Sequence, residues 1–232
     1  MTTDPEPHAT AAGPRLIVTG GVHPDANAAI RTCGPGAERP GDAPGTVWHL
    51  APDASAPTGA RLCVVDGLAA AAKRAAGPEA PAIVPRAEVR KVVPRFGFTP
   101  GQPVSGFSTY QLDPVSASAY EVDEAGGTVR LGDWLAQAAM LGFAEVWLHS
   151  PTAEAARRGF PCAMLAKAHR LAPTMRFWIS GGGWQYAHFD TAAAGAGLEA
   201  LVVPADVAAE FAPGELTAAL SPPEQAAGPG VA

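Results

Sequence analysis

Cysteine is scarce in this chain and badly spaced for crosslinking. Cys33, Cys63 and Cys162 form an odd, scattered set without a CxxC pair. A disulfide framework or a zinc site is therefore not expected, and the three read as reduced thiols. The six His show neither HExxH nor another ligand spacing, so neither a metal ion nor another cofactor is expected. Lysine is also rare, three against thirteen Arg, and no basic run exceeds Arg157-Arg158 in a chain of net charge -6. That leaves no electrostatic footprint for nucleic acid or an acidic membrane. No run of about 18 apolar residues occurs, and the opening "MTTDPEPHAT" lacks a positive region followed by an apolar core. A soluble, cytoplasmic protein is expected.

What is present suits one α/β domain. The 232 residues are 47% hydrophobic, enough for a full core. The 26 Gly and 24 Pro accompany an excess of Ala and Arg, so isolated Gly and Pro carry little weight. Residues 1–14 and 213–232 lose periodicity and read as flexible tails around a domain over 15–212.

From Gly132 onward, strand and helix alternate. "DWLAQAAML" places Trp134, Leu135, Ala138 and Leu141 on one helical face, Gly142 ends it, and "AEVWLHS" follows as a buried strand. A polar loop leads to a helix with Met164, Leu165, Ala168 and Leu171 inward. The strand "RFWIS", a helix over 184–194, the strand "ALVVP" and a short helix "ADVAAEF" complete the series. Such alternation predicts a parallel sheet covered by helices. The first half is rougher. "RLIVTGG" (15–21), "RLCVVDG" (61–67) and "FSTYQLD" (107–113) read as strands, "VRKVV" (89–93) is a further candidate, and 119–131 reads as a hairpin about Gly126-Gly127.

"RFWISGGGW" ends a strand in three glycines before a helix. Such a turn presents backbone N–H groups and the positive end of a helix dipole, so Ser180, Gly181, Gly182 and Gly183 form a candidate phosphate anchor. A tight turn in a glycine-rich chain is the plain alternative.

The segment from Thr128 to Val203 resembles the cyclase subunit of imidazole glycerol phosphate synthase, a histidine-biosynthesis (β/α)8 barrel. The resemblance is carried by Asp133-Trp134, "GFAEVWLHS", "ISGGG" and His188-Phe189. It implies a TIM-type barrel, incomplete or irregular in its first half. It equates "RLCVVDG" with the second strand, ending at Asp66, "VRKVV" with the fourth, and "FSTYQLD" with the fifth.

The family reaction closes an imidazole ring on a nucleotide carrying two phosphates and uses two opposed carboxylates at the ends of strands one and five. The resemblance gives the strand-five acid/base role to Asp113. Strand one offers Gly21 in place of the family's Asp, leaving His23 and Asp25 as substitutes from the loop, although "VHPD" also reads as an ordinary surface turn. Glu154 stands in the family's acidic loop after strand six, and Arg157 and Arg158 are either phosphate contacts or solvated residues. At the barrel bottom Arg15, Lys91 and Glu145 take three places of a charged gate that admits ammonia from a glutaminase partner, with Arg61 in the fourth. Pro204 stands where the family's second phosphate loop offers an N–H, which proline lacks.

Three functions remain open at this level. One is a divergent cyclase-like barrel acting on a phosphorylated small molecule of phosphoribosyl type. The others are an inactive barrel kept as a binding or regulatory partner, and a phosphosugar isomerase or synthase of another phosphate-binding barrel family.

Overall fold

The computed structural model describes residues 13–34, 45–77, 80–92 and 119–221. Its strands are β1 (Arg15–Thr19), β2 (Ala28–Cys33), β3 (Thr46–Leu50), β4 (Leu62–Asp66), β5 (Ala82–Val92), β6 (Ala119–Glu124), β7 (Gly127–Arg130), β8 (Glu145–His149), β9 (Arg176–Ser180) and β10 (Leu198–Pro204). Eight of them pair in parallel in the cyclic order β1, β2, β3, β4, β5, β8, β9, β10 and back to β1. The chain is a (β/α)8 TIM-type barrel. β6 and β7 form the expected hairpin, and β6 pairs antiparallel with the part of β5 that projects beyond the barrel.

The helices are α1 (Leu68–Ala75), α2 (Leu131–Met140), α3 (Pro151–Ala156), α4 (Cys162–Leu171), α5 (Tyr186–Ala193), α6 (Ala205–Ala208) and α7 (Glu215–Leu220). Local chemistry sets their ends. Ser150 caps α3 by accepting the Ala153 N–H, with Pro151 in the first turn where no N–H is needed. α7 lies within the stretch expected to be a tail, yet it buries Leu216, Ala219 and Leu220. Asp25 explains its start, since its carboxylate accepts the N–H groups of Gly214, Leu216 and Thr217 at 2.7, 3.0 and 3.2 Å.

Strand alternation divides the core in two. Inward residues Ile17, Ile30, Val47, Val64, Val84, Trp147, Trp178, Ala200 and Val202 fill the lumen. The barrel is therefore packed rather than a pore. Outward residues such as Leu16, Val18, Val65, Leu148, Phe177 and Ile179 meet the helices, where Trp134 and Leu165 are buried as expected. Leu141 and Leu171 depart from expectation: both lie past the inward faces at the ends of their helices and are about half exposed.

Strand order corrects the first half. β2 and β3 enter before "RLCVVDG", so that segment is the fourth barrel strand and not the second. The fifth place belongs to β5, flanked by β4 and β8. The strand expected over 107–113, with Asp113, lies outside the described residues, and the ring closes without it.

Candidate functional site

The rows that fill the lumen continue upward into polar residues. Two positions beyond Val47, Val64, Val84, Trp147 and Trp178 stand His49, Asp66, Arg86, His149 and Ser180, all at the C-terminal ends of barrel strands. This end is where (β/α)8 barrels place their chemistry.

The groups are connected. Asp66 accepts from Arg86 at 2.9 Å and lies 3.1 Å from His49 Nε2. Arg86 also reaches Glu88 at 3.3 Å, and its guanidinium lies over the Trp147 ring, 5.0 Å from the centroid. Partial burial pushes the Asp66 carboxyl up, but the hydrogen bonds from His49 and Arg86, with their charge, outweigh it and hold the pKa at about 2. Across the mouth, His149 Nδ1 lies 2.8 Å from Ser180 Oγ, which also accepts the Trp147 indole N–H at 2.7 Å. His149 Nε2 is 3.3 Å from Glu154 Oε2. Burial, then the Arg86 charge, lowers the His149 pKa, so the imidazole is neutral near pH 7. Among the described residues no cluster of three or more His, Cys, Asp or Glu has the form of a metal site.

Of the residues expected to act, Glu154 stands at this mouth beside His149. His23 and Asp25 do not join it. His23 Nε2 is 3.3 Å from the Phe211 carbonyl and Asp25 caps α7, so both tie the β1–β2 connection to the segment 211–217. Nor does Gly21 leave room for the missing carboxylate, because a Cβ there would stand 2.6 Å from the Ala205 methyl. His49, Arg86 and His149 were missed by sequence reasoning. The alternation of Ala87 and Val89 outward with Arg86 and Glu88 inward was the available signal for β5.

The glycine turn approaches its own chain. Gly181 and Gly182 have φ of 101° and 88°, a region that disfavours side chains. A Cβ on Gly181 would collide with the Ser150 carbonyl oxygen, one on Gly182 with that of Gly159, and one on Gly183 with the Phe160 ring. Gly159 N–H donates to the Gly182 carbonyl at 2.8 Å, locking the loop after β8 onto the turn. The space between this turn, Pro204 and Val207 is about 10 Å³, room for about one water. Beside it Arg157 stacks over Trp184 at 3.8 Å.

At the opposite end Arg15 and Glu145 do meet, at 3.2 Å, but Lys91 is not with them. It lies near the C-terminal end of β5 and pairs with Tyr120 of the hairpin. The ring is completed by Arg176 and Glu199, each carboxylate touching both arginines. Trp178 donates its indole N–H to Glu145 at 3.0 Å and lies under Arg15, closing the ring over the lumen.

No protein-family model matches the chain. Over 109 residues it is 36% identical to the imidazole glycerol phosphate synthase subunit HisF of Kineococcus radiotolerans. Over that stretch the barrel is similar to a histidine-biosynthesis protein. The match takes in 45% of the present chain and 40% of HisF, so the chain spans less than half the length of the curated relative it matches. Among the described residues no helix is long and apolar enough to cross a membrane.

Proposed function

We propose that the protein is a cytoplasmic, HisF-like barrel that binds a phosphorylated small molecule of phosphoribosyl type at its C-terminal mouth and has lost unaltered cyclase chemistry. The mouth supports this reading most directly. It gathers Asp66, Arg86, Glu88, His149 and Glu154 over a filled lumen, in the position barrels use for catalysis, while Gly21 abuts Ala205 where the family reaction needs a carboxylate. Any lyase activity on such a ligand then relies on this altered set, since the fifth strand is β5 and brings Arg86, not Asp113, to the mouth.

The phosphate anchor is the turn at Gly181–Gly183 with the N-terminus of α5, where Gln185 supplies no side-chain cap. A phosphate is far larger than the present space, so binding requires the segment from Ser150 to Gly159 to draw back. Arg157 and Arg158 lie on that segment, which brings cationic groups with the movement. Titration with inorganic phosphate, followed by the amide signals of 181–187, tests the anchor. Chemical-shift changes at this turn and in the withdrawn segment 150–159 are expected, and unmoved signals at millimolar phosphate reject it.

The same Gly21–Ala205 contact favours a second reading, a barrel kept as a binding partner without turnover. The Arg15, Glu145, Arg176 and Glu199 ring is then the surface offered to a glutaminase-type protein. Complementation of a cyclase-deficient strain separates the readings. Growth would establish turnover and restore the enzyme reading in full, and its absence with retained nucleotide binding would favour the partner.

A further inference from the structure

We infer that Ser180, His149 and Glu154 form a nucleophilic relay at the barrel mouth, able to take up an acyl group from a small ester. The inference goes beyond the phosphate reading and does not depend on it.

The hydrogen-bond directions carry the argument. An indole N–H only donates, so Ser180 Oγ accepts from Trp147 at 2.7 Å and keeps its own hydrogen for His149 Nδ1 at 2.8 Å. Glu154 as a carboxylate only accepts, so the hydrogen of the imidazole sits on Nε2, 3.3 Å from Glu154 Oε2. A neutral imidazole with its hydrogen on Nε2 has a bare Nδ1 facing the hydroxyl. Nucleophile, base and orienting carboxylate thus stand in sequence, the arrangement that activates a serine. The Trp147 N–H fixes the orientation of the hydroxyl and leaves its hydrogen aimed at His149.

In the step, Ser180 Oγ forms a bond to the carbonyl carbon while its proton passes to His149 Nδ1. Collapse of the tetrahedral adduct breaks the bond to the leaving alkoxide, which takes that proton. Water, deprotonated by His149 in turn, then cleaves the acyl–Ser180 ester and releases a carboxylic acid. Ser180 is 5% exposed, so only a small acyl group reaches it. At the rim Asp66 and Glu88 are paired with Arg86, and Glu154 lies beside His149, so among the described residues a small uncharged ester meets no unpaired charge on its way in.

The test uses the full chain with a small dialkyl fluorophosphate and, separately, p-nitrophenyl acetate. Peptide mass spectrometry should find the phosphoryl adduct on Ser180, formed with loss of fluoride, and acetate release should show a burst. Ser180→Ala should abolish the adduct. His149→Gln should slow its formation at least ~100-fold, and Glu154→Gln about 10-fold. Circular dichroism verifies that each variant remains folded. Because the adduct is mapped on the unaltered chain, the test survives failure of any variant to fold. An unlabelled Ser180 after exhaustive treatment, labelling at another residue alone, or an equal labelling rate in a folded His149→Gln variant would each overturn the relay.

Discussion

The two halves of the barrel are covered differently. From β8 to β10 each strand leads into a helix, and the outer faces of β8, β9 and β10 lie under α4, α5 and their neighbours. From β1 to β4 no helix occurs among the described residues, and β1 reaches its parallel neighbour β2 through 20–27 alone. Parallel strands ordinarily need a longer crossover. Side-chain ties, one of them from α1, hold these connections instead. Asn27 accepts the Leu16 N–H at 2.6 Å, Arg74 donates to carbonyls of Ala51, Pro52 and Ala54, and Asp25 holds α7. Closure of the ring requires only that inward rows meet, and they do so at a lumen to which both halves contribute.

The lumen is where this comparison breaks most easily. Trp178 is fully buried, fills space facing β1 and β8, and touches Glu145 of the lower ring. Trp178→Ala should cost about 3–5 kcal/mol by urea denaturation and lower amide protection in both halves together. Loss confined to β8–β10 would mean that the halves do not share one core. Leu165→Ala, on α4 in the covered half, should cost about 2–5 kcal/mol. Its effect on amide exchange should concentrate in α4, β9 and α5, because Leu165 packs there and approaches Gly195. An equal fall in β2 and β3 would show one cooperative unit despite the difference in covering.

Legibility in the sequence followed the same division. The second half could be read because Val146–Leu148, Phe177–Ile179 and the helical spacing of Trp134, Leu135 and Ala138 repeat over complete elements. The first half resisted because β1 to β4 follow one another with no helix between them among the described residues to frame each strand. β3 is the five residues "TVWHL" followed by the irregular stretch 51–61, which hid His49. Pro85 lies inside β5 and argues against a strand by local rule, which hid Arg86 and displaced the count of strands. Missing both elements moved Asp66 from fourth to second place and sent the fifth strand to 107–113. The glycine turn was legible as a close approach, but a sequence does not say which backbone approaches. Here it is the Ser150 and Gly159 carbonyls.

A smaller effect should sharpen the role of the ties. Asp25 joins the β1–β2 connection to α7 through three backbone N–H groups; burial pushes its carboxyl up, but those three hydrogen bonds together outweigh it and hold the carboxyl below the usual range. Removing a helix cap of this kind costs about 0.5–2 kcal/mol. Asp25→Ala should therefore fall near 1 kcal/mol in urea and free the α7 amides for exchange while leaving β8 and β9 unchanged. A null result would mean that His23 and the buried Leu216 and Leu220 hold α7 without it.

The smallest expected effect concerns acid stability of the mouth. The Asp66 carboxyl is held at about 2 by His49 and Arg86, whereas an unfolded Asp titrates near 3.9. A depressed carboxylate stabilises the fold above its unfolded pKa, and that contribution is lost as pH falls through the interval from ~4 to ~2. Half of the Asp66 side chain is exposed, so solvent screening keeps the amount below about 1 kcal/mol. Asp66→Asn should flatten the stability profile across this acid window, while His149→Gln should alter it at higher pH. There the neutral imidazole favours the fold above about 6.5 and protonation works against it as pH falls. If the Asn variant keeps the full slope between pH 4 and 2, the mouth pair is not coupled to folding. The acid sensitivity of the first half then belongs to Asp25 instead.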